Sequence, residues 1–298
     1  MPEWADVKPI RAAGWFPDLL LLTKARANVA VVATTFVGFA LHAVLLSNWP
    51  LLLHTLAGTG LLAGSAAVAN QAMEHQFDRN MARTRHRPVA AGRLSRRTAV
   101  WLSAALSAAG CLWLGAGVNV RALLFSALAF LIYVFGYTPL KRRTPACIPV
   151  GAVSGALPLL IGWAATGEKF GLWTSVAFAI LFLWQMPHFL AIAWWRRTEY
   201  LGAGYRVVSH KDHRGGRTAG WALVFVAAVF AVSMVPMFAN RVTHWYWPGA
   251  VTIGIMFSVS SIRFLVRRNE AAARSLFLAS LYYLPAVYVL MLLCRTRS

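Results

Sequence analysis

Three polar side chains at the end of a long apolar stretch are the first residues of this sequence that could do chemistry. Asn70, Glu74 and Asp78 are spaced four residues apart. In an α-helix this spacing places all three on one face, with about 40° of rotation at each step. Carboxylate and amide oxygens are hard ligands, and Mg²⁺ is usually held by one or two carboxylates together with substrate phosphates. The pattern therefore predicts that these three residues bind Mg²⁺ and take part in catalysis.

A run of arginines follows the carboxylates within ten residues, and it includes Arg83 and Arg87. Arginine can bind phosphate oxygens through two parallel hydrogen bonds and keeps its charge. We predict that Arg83 and Arg87 bind a diphosphate whose charge the metal also neutralises. Two alternatives remain open: the acids could simply pair with nearby arginines at a helix end, or the arginines could only fix membrane topology.

Further basic and polar residues stand near the ends of two later apolar stretches. Lys141 and Arg142 are predicted to add positive charge at the diphosphate, with a purely topological role as the alternative. Gln185 and His188 are predicted to contact an acceptor substrate, although His188 could equally be a structural histidine. Glu199 is expected on the same side of the membrane as the first carboxylates, where it would support a second Mg²⁺.

The composition is that of a membrane protein rather than a soluble one. Hydrophobic residues make up 59% of the 298 residues, charged residues only 13%, and the mean hydropathy is +0.58. Soluble domains are about 45–50% apolar and about 25% charged. Because backbone groups in lipid must be hydrogen-bonded internally, the apolar stretches are predicted to be helices. We therefore predict an all-α, polytopic helical bundle that forms a single domain over residues 1–298.

The apolar stretches divide into about nine candidate transmembrane helices. We predict them at 27–46, 50–73, 98–116, 120–138, 147–166, 171–195, 218–238, 245–265 and 274–294. With residues 1–25 as a cytoplasmic N-terminal segment, this alternation leaves 24 of the 29 Lys and Arg residues on the cytoplasmic side. The other five are Arg121, Lys169, Arg241, Arg295 and Arg297. This asymmetry predicts a cytoplasmic N-terminus and a C-terminus outside.

The charge and the N-terminal sequence limit which binding partners and which membrane we expect for this protein. The formal net charge is +20, and the basic residues lie in short loops between apolar stretches. This placement indicates that they fix membrane topology, and we expect no nucleic-acid partner. Cys111, Cys147 and Cys294 match no metal or disulfide spacing. The first residues resemble neither a signal sequence nor a transit peptide, which favours a bacterial plasma membrane over a mitochondrion.

These motifs resemble a known family. The first one is similar to the first signature of the UbiA-type intramembrane prenyltransferases: Asn70-x3-Glu74-x3-Asp78-x2-Met81-x-Arg83-Thr84-x2-Arg87-Pro88. Further stretches resemble the branch of this family that farnesylates protohaem IX: Tyr137-Thr138-x-Leu140-Lys141-Arg142, Gly155-Ala156-Leu157-Pro158 with Gly162-Trp163, and Trp184-Gln185-Met186-Pro187-His188-Phe189 with Glu199-Tyr200 and Ala203-Gly204. The resemblance extends over roughly residues 20–290.

The resemblance implies a reaction and a set of partners. Farnesyl diphosphate, haem B and water would give haem O and diphosphate in the lipid bilayer, with Mg²⁺ as cofactor. It also implies that His188 and Gln185 orient the haem, and that the product is handed to haem A synthase or to terminal oxidase assembly. Two positions depart from the family pattern: Glu74 stands where most relatives have Asp, and Tyr205-Arg206-Val207-Val208 replaces the usual Pro-Met-Leu-Pro.

Two other functions remain as alternatives. The first is a related prenyltransferase that acts on an aromatic quinone precursor, against which the Trp184–Phe189 stretch argues. The second is a transporter or assembly factor without catalysis, whose ionisable residues would be expected near the bilayer midplane. In this sequence they cluster instead at one membrane face.

Overall fold

The computed structural model describes residues 14–202, 204 and 212–296. Apart from one isolated β-bridge between Val242 and Arg295, all regular secondary structure in its described residues is helical. The helices are α1 (Trp15–Leu22), α2 (Ala25–Ala40), α3 (Trp49–Asp78), α4 (Arg96–Gly117), α5 (Val120–Leu131), a π-helix (Ile132–Tyr137), α6 (Thr138–Leu140), α7 (Cys147–Ala165), α8 (Leu172–Trp195), α9 (Arg197–Gly202), α10 (Gly216–Phe238), α11 (Tyr246–Arg267) and α12 (Glu270–Leu293).

The helices confirm a polytopic membrane bundle of the expected size. Within the described residues, eight helices are long and apolar enough to cross a bilayer, with Val120–Leu140 counted as one of them. A ninth span results if α1 and α2 are counted together, because they form a pair bent by 51° at a short break. The N-terminal segment before residue 14, the stretch 205–211 and Arg297 lie outside the described residues.

The predicted first span, 27–46, is wrong in its boundaries. Helix α2 ends at Ala40, and the chain from 41 to 48 forms turns. At the other end α1 occupies much of the segment that we assigned to the cytoplasmic N-terminus, and Lys24 separates the two helices with a left-handed φ of 50°. Hydropathy alone does not detect this break, because the residues on both sides of it are apolar.

Helix α7 is the centre of the bundle. Fifteen of its nineteen residues are buried, and it packs against α2, α5 and α8. Two glycines let the backbones of α2 and α7 meet: a Cβ at Gly38 would overlap the carbonyl of Leu159, and one at Gly162 would overlap that of Thr35. Small residues at such contacts are how membrane helices approach closely.

The two ends of the bundle differ in the loops that they gather. At one end lie the loop 79–95, the turn after α6, and α9. Contacts join α9 to this loop and to α12: Arg83 N donates to Glu199 Oε1 at 3.3 Å, and Arg197 forms an ion pair with Glu270. At the opposite end Asn119 donates to the carbonyl of Ala164, joining the start of α5 to the end of α7. The first end carries the long basic loops and the predicted site.

Candidate active site at the basic end

The predicted metal ligands lie together at the end of α3. This helix continues unbroken to Asp78, so the four-residue spacing does place Asn70, Glu74 and Asp78 along one face. All three side chains are buried, with 1%, 1% and 2% of their surface exposed. Buried carboxylates must be paired or bind cations, because their desolvation is otherwise unfavourable. Their partners therefore define the chemistry of the site.

Each carboxylate is paired with a cation from another part of the chain. Lys141 Nζ lies 3.3 Å from both carboxylate oxygens of Glu74, and Arg87 Nη1 lies 3.0 and 2.8 Å from those of Asp78. The structure therefore contains the ion pairs that the first alternative described, in which the acids pair with nearby basic residues. Two of the predicted diphosphate-binding residues stand directly beside the predicted metal ligands.

Asn70 is held by two polar groups that the sequence motif does not include. Its Oδ1 accepts a hydrogen bond from Lys24 Nζ, and its Nδ2 donates to Thr138 Oγ1 at 3.2 Å. Lys24 Nζ also lies 3.4 Å from the hydroxyl of Tyr133. The cation at the break between α1 and α2 is thereby brought into the site, next to the first of the three ligand residues.

The other predicted cations are placed differently. Arg142 Nη2 donates to the carbonyl of Met73 at 3.0 Å, and its guanidinium stacks on Phe77 at 4.2 Å. This places Arg142 against α3 but on its backbone, not on a carboxylate. The side chain of Arg83 is exposed, and only its backbone N–H contacts Glu199. The four residues predicted to bind diphosphate therefore lie around one helix end. Two of them contact its carboxylates, and the other two do not.

The loop after α3 folds back over this end. Thr84 Oγ1 donates to the carbonyl of Asp78, and Arg79 Nε donates to that of Ala90. The carbonyl of Pro88 accepts from the N–H groups of residues 93 and 94, and Gly92 between them has a left-handed φ of 77° that favours glycine. The loop thus returns Arg87 to the carboxylate at the helix end.

Charge in this loop comes from arginine and not from histidine. Burial, followed by repulsion from Arg87 and Arg93, lowers the pKa of His86, so its ring is neutral at pH 7. The hydrogen bond with Asp18 raises the pKa of Arg93, whose Nε and Nη2 bind both oxygens of that carboxylate at 2.7–3.2 Å. This fork ties α1 to the loop.

The donor set fits a magnesium ion that is shared with a substrate. Among the described residues no three His, Cys, Asp or Glu side chains come together as a metal cluster. What α3 offers is two carboxylates and one amide oxygen, and Mg²⁺ typically takes one or two carboxylates plus water and substrate phosphates. Glu199 approaches the Arg83 backbone instead of joining Glu74 and Asp78 in such a cluster.

A cavity of about 320 Å³ opens beside the polar row, between α2, α3, α5, α7 and α8. Small residues of α3 leave room for it, and its wall is mostly apolar. The polar and aromatic side chains along the wall include Lys24, Phe130, Tyr133, Tyr137, Gln185 and Phe189. The cavity reaches Lys24, which also binds Asn70, and an apolar cavity with a cation at its wall suits an amphiphile with an anionic head group.

The π-helix is the feature of this wall that the sequence did not reveal. Over Ile132–Tyr137 the extra residue per turn aims both Tyr133 and Tyr137 into the cavity, with ring centroids 5.3 Å apart. Such segments often occur at functional sites. Sequence analysis assigned no role to Tyr133 or Lys24, and Tyr137 entered it only as part of a motif of the family resemblance. The signal for Lys24 was a lysine inside an otherwise apolar stretch, which was counted with the topological charges.

The helix glycines of α7 also shape the cavity. Gly151 lies against the ring of Tyr137, and a Cβ at Gly155 would overlap Gln185 Oε1. Gln185 Nε2 in turn donates to the carbonyls of Ala152 and Leu181 at 3.1 and 3.2 Å. Close packing is thus one role of these glycines, and the space that they leave holds the Gln185 amide at the cavity wall.

Gln185 and His188 do not face the same space. Gln185 lines the central cavity, whereas His188 packs toward α12, with Nδ1 2.8 Å from Ser280 Oγ. The His188 ring also stacks on Trp184 at 4.9 Å and lies 5.0 Å from Phe277. Of the two residues only Gln185 therefore faces the central cavity, and contact of Gln185 or His188 with an acceptor stays a prediction.

Comparisons with known proteins identify the family of this chain. Residues 31–284 match the UbiA prenyltransferase family. The chain is 38% identical over 287 residues to a protoheme IX farnesyltransferase of Solibacter usitatus, covering 93% of this chain and 98% of that one. It is 36% identical over 275 residues to one of Opitutus terrae, covering 91% and 92%, and 35% identical over 281 residues to the human mitochondrial one, covering 94% and 62%.

Solved structures share the fold. One is a digeranylgeranylglyceryl phosphate synthase, with a TM-score of 0.78 at 15% identity over 94% of this chain and 98% of that one. Another is a UbiA homolog from Archaeoglobus fulgidus bound to GPP and Mg²⁺, with a TM-score of 0.71 at 14% identity over 92% and 99%. Together with the extent of the sequence match, these findings show that the chain belongs to the UbiA prenyltransferase family.

Proposed function

We propose that this enzyme transfers the farnesyl group of farnesyl diphosphate to a vinyl group of haem B, with addition of water, and so acts as a haem O synthase. The observation that carries the proposal is the row of buried carboxylates on α3, which is paired with cations and is linked through Lys24 to an apolar cavity. The choice of acceptor and prenyl chain rests on the relatives, which are named protoheme IX farnesyltransferase.

The chemistry requires three changes in bonding. The bond between C1 of the farnesyl group and oxygen breaks, and diphosphate leaves with the electron pair. The π electrons of the haem vinyl group then form the new carbon–carbon bond to C1, which leaves a cation on the vinyl carbon next to the porphyrin. Water adds to that carbon and loses a proton, which gives a hydroxyl group.

The residues at the end of α3 would serve the first of these changes. Mg²⁺, when bound by Asn70, Glu74 and Asp78, would neutralise the departing diphosphate. Arg87 and Lys141 stand beside the same carboxylates and would bind the diphosphate oxygens, with Arg83 and Arg142 in support. Glu199 would support a second Mg²⁺. Replacing Glu74 with Asp should preserve activity, because it restores the residue that most relatives have. A complete loss in that variant would count against a metal-binding role.

The cavity would serve the second change. An allylic cation reacts with water unless its surroundings exclude it, and the wall beside Tyr133, Tyr137 and Phe189 is apolar and aromatic. The aromatic faces also stabilise positive charge. Lys24, which contacts Asn70 at the mouth of the cavity, would bind the diphosphate end of the substrate. The farnesyl chain would lie along the small residues of α3.

The acceptor would be oriented from α8. Gln185 reaches the cavity, so its amide would contact the haem directly, whereas His188 would act on the acceptor from the side of α12. These separate positions of Gln185 and His188 replace the initial expectation that both contact the acceptor from the same side. They predict that Gln185→Leu changes acceptor use more than it changes binding of a farnesyl diphosphate analogue.

The same proposal extends to the setting of the enzyme. The whole chain, 1–298, would form one domain in a bacterial plasma membrane, with the basic end and the N-terminus cytoplasmic and the C-terminus outside. The gathering of the long basic loops at the end with the carboxylates supports this orientation. Its product would then pass to haem A synthase or to terminal oxidase assembly.

The main rival is a UbiA-type enzyme that prenylates an aromatic quinone precursor. One experiment separates the two: purified protein is incubated with farnesyl diphosphate and Mg²⁺ together with equal amounts of haem B and 4-hydroxybenzoate, and the products are identified by mass. We expect farnesylated, hydroxylated haem and unchanged 4-hydroxybenzoate. Prenylated 4-hydroxybenzoate without any haem product would refute the proposal. The Asp78→Ala variant is the control for reaction without enzyme.

A further inference from the structure

A second polar cavity lies at the end of the bundle opposite the carboxylates. It encloses about 340 Å³ where the turn after α2, the α7–α8 loop and the C-terminus meet. Helix α2 alone rises about 24 Å between the two ends, so this cavity is remote from the reaction. Its polar side chains include His42, Glu168, Lys169, Thr174, Arg241 and Arg295.

The charge of this cavity is positive. Lys169, Arg241 and Arg295 line it, and Glu168 is the one carboxylate among its described lining residues. In the proposed orientation only five Lys and Arg residues of the chain lie outside, and three of those five converge here. Membrane topology favours basic residues on the cytoplasmic side, so it gives no reason for this concentration.

Backbone contacts hold the two arginines at the cavity. Arg295 pairs with Val242 in the isolated β-bridge, and its Nη1 donates to the carbonyl of Ala40 at 3.3 Å. The N–H of Thr296 donates to the carbonyl of Arg241 at 3.1 Å. The C-terminal residues are therefore joined to the α10–α11 turn and to the end of α2, which places cations from three parts of the chain around one space.

The start of α8 adds hydrogen-bond donors. Gly171 is its N-cap and supplies no side-chain cap, and in the described part of the chain the backbone N–H groups of residues 172–174 have no acceptor. Trp173 lines the cavity, and its buried Nε1–H also has no acceptor there. Donors at a helix N-terminus favour anions.

The ring of His42 orients this corner and does not act as a cation. Its Nδ1 lies 2.9 Å from the carbonyl of Gly38 and must carry the proton, so Nε2 accepts the hydroxyl hydrogen of Thr174 at 2.9 Å. That bond fixes Thr174 in the first turn of α8. Lys169, Arg241 and Arg295 and the start of α8 supply the positive charge and the donors that line the cavity.

We propose that this cavity binds the phosphate group of an anionic phospholipid in the outer leaflet. The positive charge and the helix N-terminus match a phosphate. A lipid is favoured over free phosphate because the rim is amphipathic: Leu172 lines the cavity and is 55% exposed, and the neighbouring Phe170 is 56% exposed. Acyl chains would extend along these side chains. The site is separate from farnesyl transfer and is tested without measuring it.

The test measures lipid binding to the full chain by native mass spectrometry, with phosphatidylglycerol and phosphatidylcholine as probes. We expect phosphatidylglycerol to bind more tightly. Each of the variants Lys169→Gln and Arg241→Gln should weaken its binding about fivefold, which is the contribution of one basic residue near a charged membrane surface. Glu168→Gln should strengthen binding, because it removes the repelling charge. Arg121→Gln, at the same end but outside the cavity, is the matched control.

The outcomes separate the possible ligands. Equal affinity for phosphatidylglycerol in the wild type, Lys169→Gln and Glu168→Gln would overturn the proposal, and so would an Arg121→Gln effect as large as that of Arg241→Gln. In a parallel arm, inorganic phosphate is added while thermal unfolding in detergent is followed. A phosphate-dependent rise in Tm that the Lys169→Gln variant loses, without any preference for phosphatidylglycerol, would overturn the lipid assignment in favour of free phosphate.

Discussion

Replacing Lys141 with glutamine should destabilise the protein through the carboxylate that it leaves behind. Glu74 is 1% exposed, and the side chain of its partner Lys141 is 17% exposed. Removing one partner of a buried ion pair costs about 3–5 kcal/mol, whereas replacing both partners with neutral groups is often close to neutral. We therefore expect Lys141→Gln to unfold more easily and the double variant Glu74→Gln/Lys141→Gln to regain most of the loss.

The structure sets the expected size at the lower limit of that range. The distances of 3.3 Å from Nζ to both oxygens exceed the 2.7–2.9 Å of a strong charge-assisted hydrogen bond, and Lys24 also attracts Glu74. We expect a loss of about 3 kcal/mol in Lys141→Gln and less than about 1 kcal/mol in the double variant. Unfolding free energies would come from SDS titration in mixed micelles, followed by circular dichroism.

Two results would refute this reasoning. If Lys141→Gln unfolded at the wild-type concentration of SDS, Glu74 would not depend on this cation. If the double variant were as unstable as the single one, the lost free energy would come from packing of the lysine side chain and not from an unpaired charge. Farnesyl transfer, measured in parallel, should be lost in both variants, because both lack groups that we assign to diphosphate or metal binding.

Four further variants test the proposed roles of single residues. Asp78→Ala should lower the turnover rate at least about a hundredfold with insertion intact, and near-normal product formation would remove it from the metal site. Arg87→Lys should lower activity about tenfold through lost hydrogen bonds, with no change in the exposed control Arg97→Lys; equal effects would indicate bulk charge. Gly155→Ala should displace the amide beside it and lower haem farnesylation about tenfold, unless that amide is free to move. His188→Ala should weaken haem binding in an absorbance titration and spare binding of a diphosphate analogue; an unchanged haem spectrum would exclude its role.

The common face of the three polar residues on α3 could be predicted because it depends on local helix geometry. Four-residue spacing fixes a common helix face whatever surrounds it, so Asn70, Glu74 and Asp78 needed only a continuous helix. Arg87 and Lys141 were predicted as diphosphate ligands, which stays a prediction, and the structure shows both paired with the buried acids. Hydropathy likewise located most spans, because a bilayer demands long apolar helices.

The features that were missed depend on packing and backbone geometry. Lys24 reaches Asn70 only because α1 and α2 bend at that residue, and no hydropathy pattern encodes a bend between two apolar segments. The π-helix that directs Tyr133 into the cavity has the composition of an ordinary apolar helix. The separation of His188 from the cavity depends on Ser280, which is 92 residues away in sequence. Each of these contacts requires the tertiary structure.

The cations that pair with the acids of α3 come from different distances along the chain, so they are synthesised at different times. The Asp78–Arg87 contact closes over 9 residues, so it can form as soon as the loop leaves the ribosome. The partner of Glu74 arrives 67 residues later, after α4 and α5 have been made. Until then Glu74 lacks the cation that is later closest to it, and the end of α3 is more stable at the water-exposed membrane surface than inside a bundle. The proposed site therefore closes late, when the chain after α6 docks, and a nascent chain that stops before residue 141 has the predicted metal ligands without the cation that pairs with Glu74.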